Sequence, residues 1–298
     1  MSEATLDGIV ARARAALAAA DVPSPEADAL ELASFALGCD TAEVRRRMVL
    51  RTPVDDQDAA RFQDLVEERL LRVPLQHLTG RAFFRRLALA VGPGVFVPRP
   101  ETEVTAGLAI DAALAAGPDP VVVDLCTGSG AIALAVADEV PGARVHAVEL
   151  SEEAHAWAAQ NVARYAGSTE HAVDLRLGDA TTAFDDLEGT VDVVVSNPPY
   201  IPDGAVPVDP EVRDHDPEVA LYGRSADGLT VPLAVGERAA VLLRPGGVLV
   251  MEHADAQGES LPAALRSTGA WATVEDRADL TGRPRVTTAV LGRATERR

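Results

Sequence analysis

Val121-Val122-Val123-Asp124-Leu125-Cys126-Thr127-Gly128-Ser129-Gly130 is an apolar run that ends on an acid and empties into a glycine turn, and an Ala-rich segment, Ala131-Ile132-Ala133-Leu134-Ala135, follows directly. An unbroken β-branched run of this length reads as a strand buried on both faces, the habit of a parallel sheet. The glycines let the backbone take φ > 0 and approach a ligand, and the next helix starts at once. The segment therefore predicts a nucleotide-type site at the carboxyl end of a first strand.

Working outward, strands and helices alternate from about residue 104 to the end. The periodicity predicts strands at 120–125, 143–149, 172–177, 191–196, 246–252, 271–276 and 286–291, with helices at 102–116, 131–139, 152–165, 227–242 and 257–268. Such alternation implies an α/β fold, a mostly parallel sheet covered by helices on both faces. Upstream the pattern differs. Leu6, Ile9, Val10, Ala13 and Leu17 share one helical face, and Ser24-Pro25 suits a helix start. Gly38 suits a stop, Thr41 opens a third helix, and residues 54–72 make a fourth. Between the two parts, Phe83, Phe84, Leu87, Leu89 and Val91, then Gly92-Pro93-Gly94, then Val95 and Val97, predict a β-hairpin with Phe83 and Phe84 in its core. The expected organisation is a helical domain over 1–80, a hairpin connector over 81–98 and a catalytic domain over 99–298.

The glycine turn leaves two ligands open. Gly128-Ser129-Gly130-Ala131-Ile132-Ala133 also satisfies a dinucleotide pattern with Ala in third place. Asp124 favours a ligand carrying positive charge, and S-adenosylmethionine brings a sulfonium and an ammonium without a pyrophosphate. Glu149, in Val148-Glu149-Leu150, falls about 20 residues beyond the turn, where a carboxylate can accept both ribose hydroxyls. Asp179, in Gly178-Asp179-Ala180, can reach an adenine amino group or serve simply as a turn residue.

At the end of the fourth predicted strand stands Asn197-Pro198-Pro199-Tyr200. Two prolines cannot continue a ladder, so the chain makes a rigid turn there. The Asn197 side-chain oxygen and the Pro198 carbonyl can accept both hydrogens of a planar NH2 group. Tyr200 can lie against a positive charge. The long segment from 201 to 225 marks a binding element. Within it, His215 reads as a loop residue. Arg99 in Arg99-Pro100-Glu101 lines the entry or belongs to a helix-start turn with Thr102.

Composition narrows the chemistry. The 298 residues carry 46 acidic and 27 basic side chains, a net charge of −19, which opposes sequence-independent binding to nucleic acid. All the basic residues are Arg, and with no Lys, Schiff-base and P-loop chemistry drop out. Cys39 and Cys126 are too few for a disulfide framework or a zinc site, and His146, His155 and His171 are scattered, so no metal is expected. Neither a signal peptide nor a membrane span is expected, and a monomeric cytoplasmic protein is.

Taken together, Asp124–Gly130, Glu149 and Asn197-Pro198-Pro199-Tyr200 resemble class I S-adenosylmethionine-dependent methyltransferases acting on planar nitrogens. Pro74-Leu75-Gln76-His77-Leu78-Thr79-Gly80, Phe96-Val97-Pro98-Arg99-Pro100-Glu101-Thr102-Glu103 and Asp279-Leu280-Thr281-Gly282-Arg283 are similar to segments of the PrmC/HemK family. That resemblance covers essentially the whole chain. It implies a Rossmann-like seven-stranded sheet, and methylation of the Gly-Gly-Gln glutamine of class I peptide chain release factors at its side-chain nitrogen N5. It also implies catalytic roles for Asn197, Pro198 and Tyr200, with Pro199 and Arg99 beside them on the substrate. The cofactor would lie against Asp124, Cys126, Thr127, Gly128, Ser129, Gly130, Glu149, Leu150, Asp179, Ala180 and Asn197. Two departures stand out: Glu149 where the family usually has Asp, and Glu252-His253-Ala254 in place of Glu-Ile-Gly. The alternatives are an adenine-N6 methyltransferase of DNA or RNA and a non-catalytic adenosine-binding regulator.

Overall fold

The structure, a computed structural model, describes residues 5–292. They form two compact units, one of residues up to Arg81 together with Pro207–His215, the other of Ala82–Val206 and the residues from Asp216 onward.

The first unit opens with α1 (Leu6–Ala19), α2 (Pro25–Leu37), α3 (Thr41–Val49), α4 (Asp56–Leu70) and α5 (Leu75–Thr79). Leu6, Val10, Ala13 and Leu17 bury one face of α1 against Leu32, Val44, Phe62 and Val66. Ser24 is the N-cap of α2 with proline behind it, though its side chain makes no capping bond. Gly38 ends that helix in the left-handed region at φ 61°. The fifth helix lies beyond the four expected from sequence. At five residues it is too short to show a hydrophobic period. A boundary drawn at residue 80 also omits Pro207–His215, whose Glu211 meets Arg69 at 2.6 Å. Arg69 is buried and also holds Asp28 at 2.7 Å, yet burial keeps the Asp28 carboxyl above the usual range.

The second unit begins with a hairpin of β1 (Arg81–Phe84) and β2 (Leu87–Ala90). Its turn is at Arg85, φ 51°, not at the expected Gly92-Pro93-Gly94, and Val95 and Val97 are buried without forming a strand. The glycines there serve close packing instead. A Cβ on Gly92 would stand 2.5 Å from the Trp157 ring, and Trp157 Nε1 donates to the Pro93 carbonyl at 3.1 Å. Phe84 is in the core as expected, but Phe83 is exposed, because adjacent strand residues face opposite ways.

The remaining elements are α6 (Thr102–Ala116), β3 (Val121–Leu125), α7 (Ala131–Glu139), β4 (Arg144–Glu149), α8 (Glu152–Tyr165), β5 (Asp174–Leu177), β6 (Val191–Ser196), α9 (Pro210–His215), α10 (Glu218–Leu221), α11 (Thr230–Leu242), β7 (Leu243–Glu252), α12 (Ser260–Ser267), β8 (Trp271–Ala278) and β9 (Pro284–Leu291). The two short helices α9 and α10 interrupt what the sequence suggests is an irregular loop, and His215 closes the first of them. Seven strands form one sheet in the order β5-β4-β3-β6-β7-β9-β8, parallel through β7 and antiparallel at β9 and β8. Val122, Val193, Val195 and Val250 pack with the helices α6 and α7. Val121, Val123, Val194 and Leu249 pack on the other face with α11 and α12. Two apolar layers therefore sandwich the sheet, which is why β3 is apolar at consecutive positions rather than alternating.

From β3 the chain runs outward through β4 to β5, and from β6 it runs the other way to β7. The strand order thus reverses between β3 and β6, where an open α/β sheet has its ligand crevice. Leu125 pairs with Ser196 and Ser196 with Met251, so the glycine turn, the Asn-Pro-Pro-Tyr turn and Glu252 emerge side by side.

Candidate active site

On the β3 side, Asp124 is fully buried. Its Oδ2 accepts from Thr127 Oγ1 at 2.6 Å and from the Ala133 N–H at 3.1 Å. Its Oδ1 is buried with no hydrogen-bond partner among the described residues. Burial pushes the Asp124 carboxyl up to about 7, opposed by those two donors. Such a carboxylate lacks the positive partner that would stabilise its charge. Cys126 and Gly128 turn the backbone with φ 69° and 58°, and Gly130 starts α7 at φ 83°. Burial and the Glu149 and Asp124 carboxylates push the Cys126 thiol up, so it is no thiolate nucleophile.

Glu149, buried at the end of β4, receives the Gly128 N–H on Oε2 at 2.8 Å and the Ser151 N–H on Oε1 at 2.9 Å. It thus braces the glycine turn, and each oxygen keeps a further lone pair for a hydroxyl. Leu150 beside it is exposed and Ala180 is buried. Asp179 spends Oδ1 on the Thr181 N–H at 2.8 Å and the Thr181 hydroxyl at 2.7 Å, bonds that hold its carboxyl below the usual range. It is a turn residue of the Asx type.

On the β6 side, Asn197 is half-buried and Pro198 buried. The Asn197 Nδ2 donates to Thr102 Oγ1 at 3.3 Å. Burial, reinforced by the Glu252 carboxylate, raises the Tyr200 phenol, with Arg285 beside its hydroxyl. Arg99 pairs with the buried Asp216 at 3.0 Å and lies over the Phe96 ring at 5.3 Å. That engagement makes Arg99 an anchor for the chain returning after Pro207–His215. No group of His, Cys, Asp and Glu suited to a metal ion occurs among the described residues, and no helix there is long and apolar enough to cross a membrane.

This crevice fits S-adenosylmethionine on the chemistry of its donor set. An unpartnered buried carboxylate oxygen suits a cation, and a second carboxylate at the neighbouring strand end suits a diol.

A family model described as PrmC N-terminal domain matches residues 9–80, and one described as methyltransferase small domain matches 89–209. The release factor glutamine methyltransferase of Streptomyces coelicolor is 54% identical over 282 residues, covering 94% of this chain and 96% of that protein. The enzyme of the same name from Bifidobacterium longum is 45% identical over 289 residues, covering 95% and 98%. The chain belongs to the release factor glutamine methyltransferase family. A relative named for another activity, the 4-amino-L-phenylalanine/4-methylamino-L-phenylalanine methyltransferase of Streptomyces pristinaespiralis, is 45% identical over 221 residues, covering 73% of each chain.

Within this family's site stand four supporting residues to which sequence reading gives no role. Asn161 of α8, fully buried, donates to the Ser129 carbonyl at 2.9 Å and brackets Ala90 with bonds to its N–H and carbonyl. It ties the strand β2 to the glycine turn. Gln257 donates through Nε2 to the Tyr200 carbonyl at 2.9 Å and the Asp227 carbonyl at 2.8 Å, clamping the end of the tetrapeptide. Gly228 packs against the same carbonyl, where a Cβ would come within 2.1 Å. The fourth, Glu252, had a sequence signal: like Asp124, it is an acid at the end of an apolar strand.

Proposed function

We propose that this protein transfers the methyl group of S-adenosylmethionine to N5 of the glutamine in the Gly-Gly-Gln motif of class I peptide chain release factors, in the cytoplasm where translation ends. The observation that carries this reading is the Asn197 amide. It sits at the strand-order reversal, its Nδ2 occupied by Thr102, so its Oδ1 is the end offered to an acceptor NH2.

When bound, S-adenosylmethionine supplies a methyl group made electrophilic by its sulfonium. Asp124 Oδ1 and Glu149 would hold the donor, and the glycine turn would let the backbone approach it. Asn197 Oδ1 and the Pro198 carbonyl accept the two N–H bonds of the glutamine amide, whose lone pair is otherwise delocalised into its carbonyl. Fixing the amide plane aims its nitrogen along the line of displacement, a gain in orientation. Taking up the methyl group that the sulfonium would supply, the glutamine nitrogen would become positive. The two acceptor oxygens stabilise that charge. One amide proton then leaves to water. Tyr200 packs beside the substrate, and its raised phenol stays neutral.

Labelled S-adenosylmethionine offered with a release factor, the factor with its motif Gln→Ala, an adenine-containing duplex and free 4-aminophenylalanine tests this directly. Label on the wild-type factor alone is expected. Label on the duplex or the amino acid, with none on the factor, would overturn the substrate assignment. The 94% coverage by a release factor enzyme and the match of the N-terminal family model favour the protein substrate. The net charge of −19 opposes the duplex.

A further inference from the structure

Asn197 serves an acceptor NH2 only if its oxygen, not its nitrogen, faces it. The two ends of an Asn amide are alike in shape, so a neighbour must decide which points where. Thr102, the first residue of α6, is that neighbour. Its hydroxyl oxygen lies 3.3 Å from Asn197 Nδ2 and 3.3 Å from Glu252 Oε1. Glu252 ends β7 at 2% exposure, and its other oxygen accepts from Thr105 Oγ1 at 2.8 Å. A threonine hydroxyl has one proton to give. With that proton on the carboxylate, only lone pairs remain toward Asn197, and these demand an N–H. We propose that Thr102, its hydroxyl proton committed to Glu252, is the positioning residue that turns Asn197 Oδ1 toward the acceptor amide. This role rests on the proposed glutamine methylation.

The arrangement makes protonation of Glu252 consequential. A neutral carboxyl can donate to Thr102, whose own proton is then free for Asn197 Oδ1. The Asn197 amide turns over and presents NH2 to NH2. The groups facing Glu252 are Thr102 and Thr105 from α6, Glu101 just before it, Tyr200 from the tetrapeptide and Arg285 from β9. Next along the chain, buried His253 bonds Asp276 of β8 at 3.0 Å. Arg285 and the two threonines favour the ionised form, while Glu101 and burial oppose it. Burial dominates and pushes Glu252 up to about 7. The turnover of the amide is therefore expected at about pH 7.

Thr102→Val, Thr102→Ser and Glu252→Gln separate this from a merely structural role. Thr102→Val is expected to lower kcat about tenfold while cofactor affinity holds within about twofold, and the serine variant to restore turnover. The wild-type kcat should fall on the acid side of about pH 7, and Glu252→Gln should lack that limb. The side-chain amide resonances of Asn197, followed by NMR with the cofactor bound, should shift with the same midpoint in the wild type and not in Thr102→Val. Wild-type turnover in Thr102→Val, a serine variant as slow as the valine one, or Asn197 resonances indifferent to pH would each overturn the proposal. If the valine variant does not fold, the serine variant and the wild-type titration still decide. A wild type that methylates no release factor overturns the substrate assignment, and the Asn197 resonances then judge the Thr102 role alone.

Discussion

The donor and acceptor halves of the crevice each carry a buried carboxylate at the end of a parallel strand, and they use it in opposite ways. Asp124 at the end of β3 leaves one oxygen without a partner, whereas both oxygens of Glu252 at the end of β7 are taken by threonines. Burial raises both to about 7. The first is left open, as a socket for a positively charged ligand would be. The second is satisfied internally, and in the proposed mechanism it acts on the substrate through Thr102 and Asn197. The same desolvation therefore gives a binding group on one side and an orienting group on the other, and the hydrogen-bond count of each carboxylate tells them apart.

The sharpest way to break this division is Asn197→Ala. It removes the oxygen proposed to hold the acceptor amide, so kcat should drop by about 10²–10³. Calorimetry should find cofactor affinity unchanged, and weakened binding would mean the halves are not separate. Asp124→Asn does the converse. An amide can still serve Thr127 and Ala133 with one end, but it loses the charge that meets the cation. Cofactor Kd should rise by about 10–100-fold, with kcat at saturation reduced far less. Equal losses in both would show that Asp124 acts in the chemistry as well.

A third measurement uses protons. Asp124 is raised in the free protein, and a cation beside it lowers that value. At a pH between the bound and free values, cofactor binding should release up to about one proton. Binding enthalpies in two buffers of different ionisation enthalpy should therefore diverge at about pH 6 and converge well above pH 7. Uptake of a proton would reverse the sign and refute the socket. The smallest effect is expected from Gln257→Leu, which frees the Tyr200 and Asp227 carbonyls at the edge of the acceptor half. Turnover should fall about fivefold with cofactor affinity intact.

Much of both halves was legible because it is written in contiguous residues. The run Val121–Leu125, the glycines at 128 and 130, and the paired prolines after β6 each dictate local backbone. The hairpin was misplaced for the opposite reason. Gly92-Pro93-Gly94 has turn composition, but its glycines make room for Trp157 and Glu153 of a helix some sixty residues on. Phe83 and Phe84 are alike in type, and only the β1–β2 pairing decides which one is buried. For Asp179 the sequence left adenine contact and turn residue equally open, and the Thr181 bonds supply the turn through Oδ1 alone.

By itself, the sequence determined the parallel sheet, the glycine turn, the carboxylates at the ends of β3 and β4 and the rigid acceptor turn. Each follows from propensity, periodicity or the missing proline N–H within about ten consecutive residues. The tertiary structure alone decided which way the Asn197 amide points. That orientation depends on Thr102, 95 positions away, and on Glu252, which lies 150 positions from Thr102. It likewise decided that Asn161 braces the glycine turn and that Pro207–His215 clusters with the helical unit. Hydrogen-bond direction is a property of which groups meet and how many protons they share. Strand register and sheet order, not local sequence, bring those groups together.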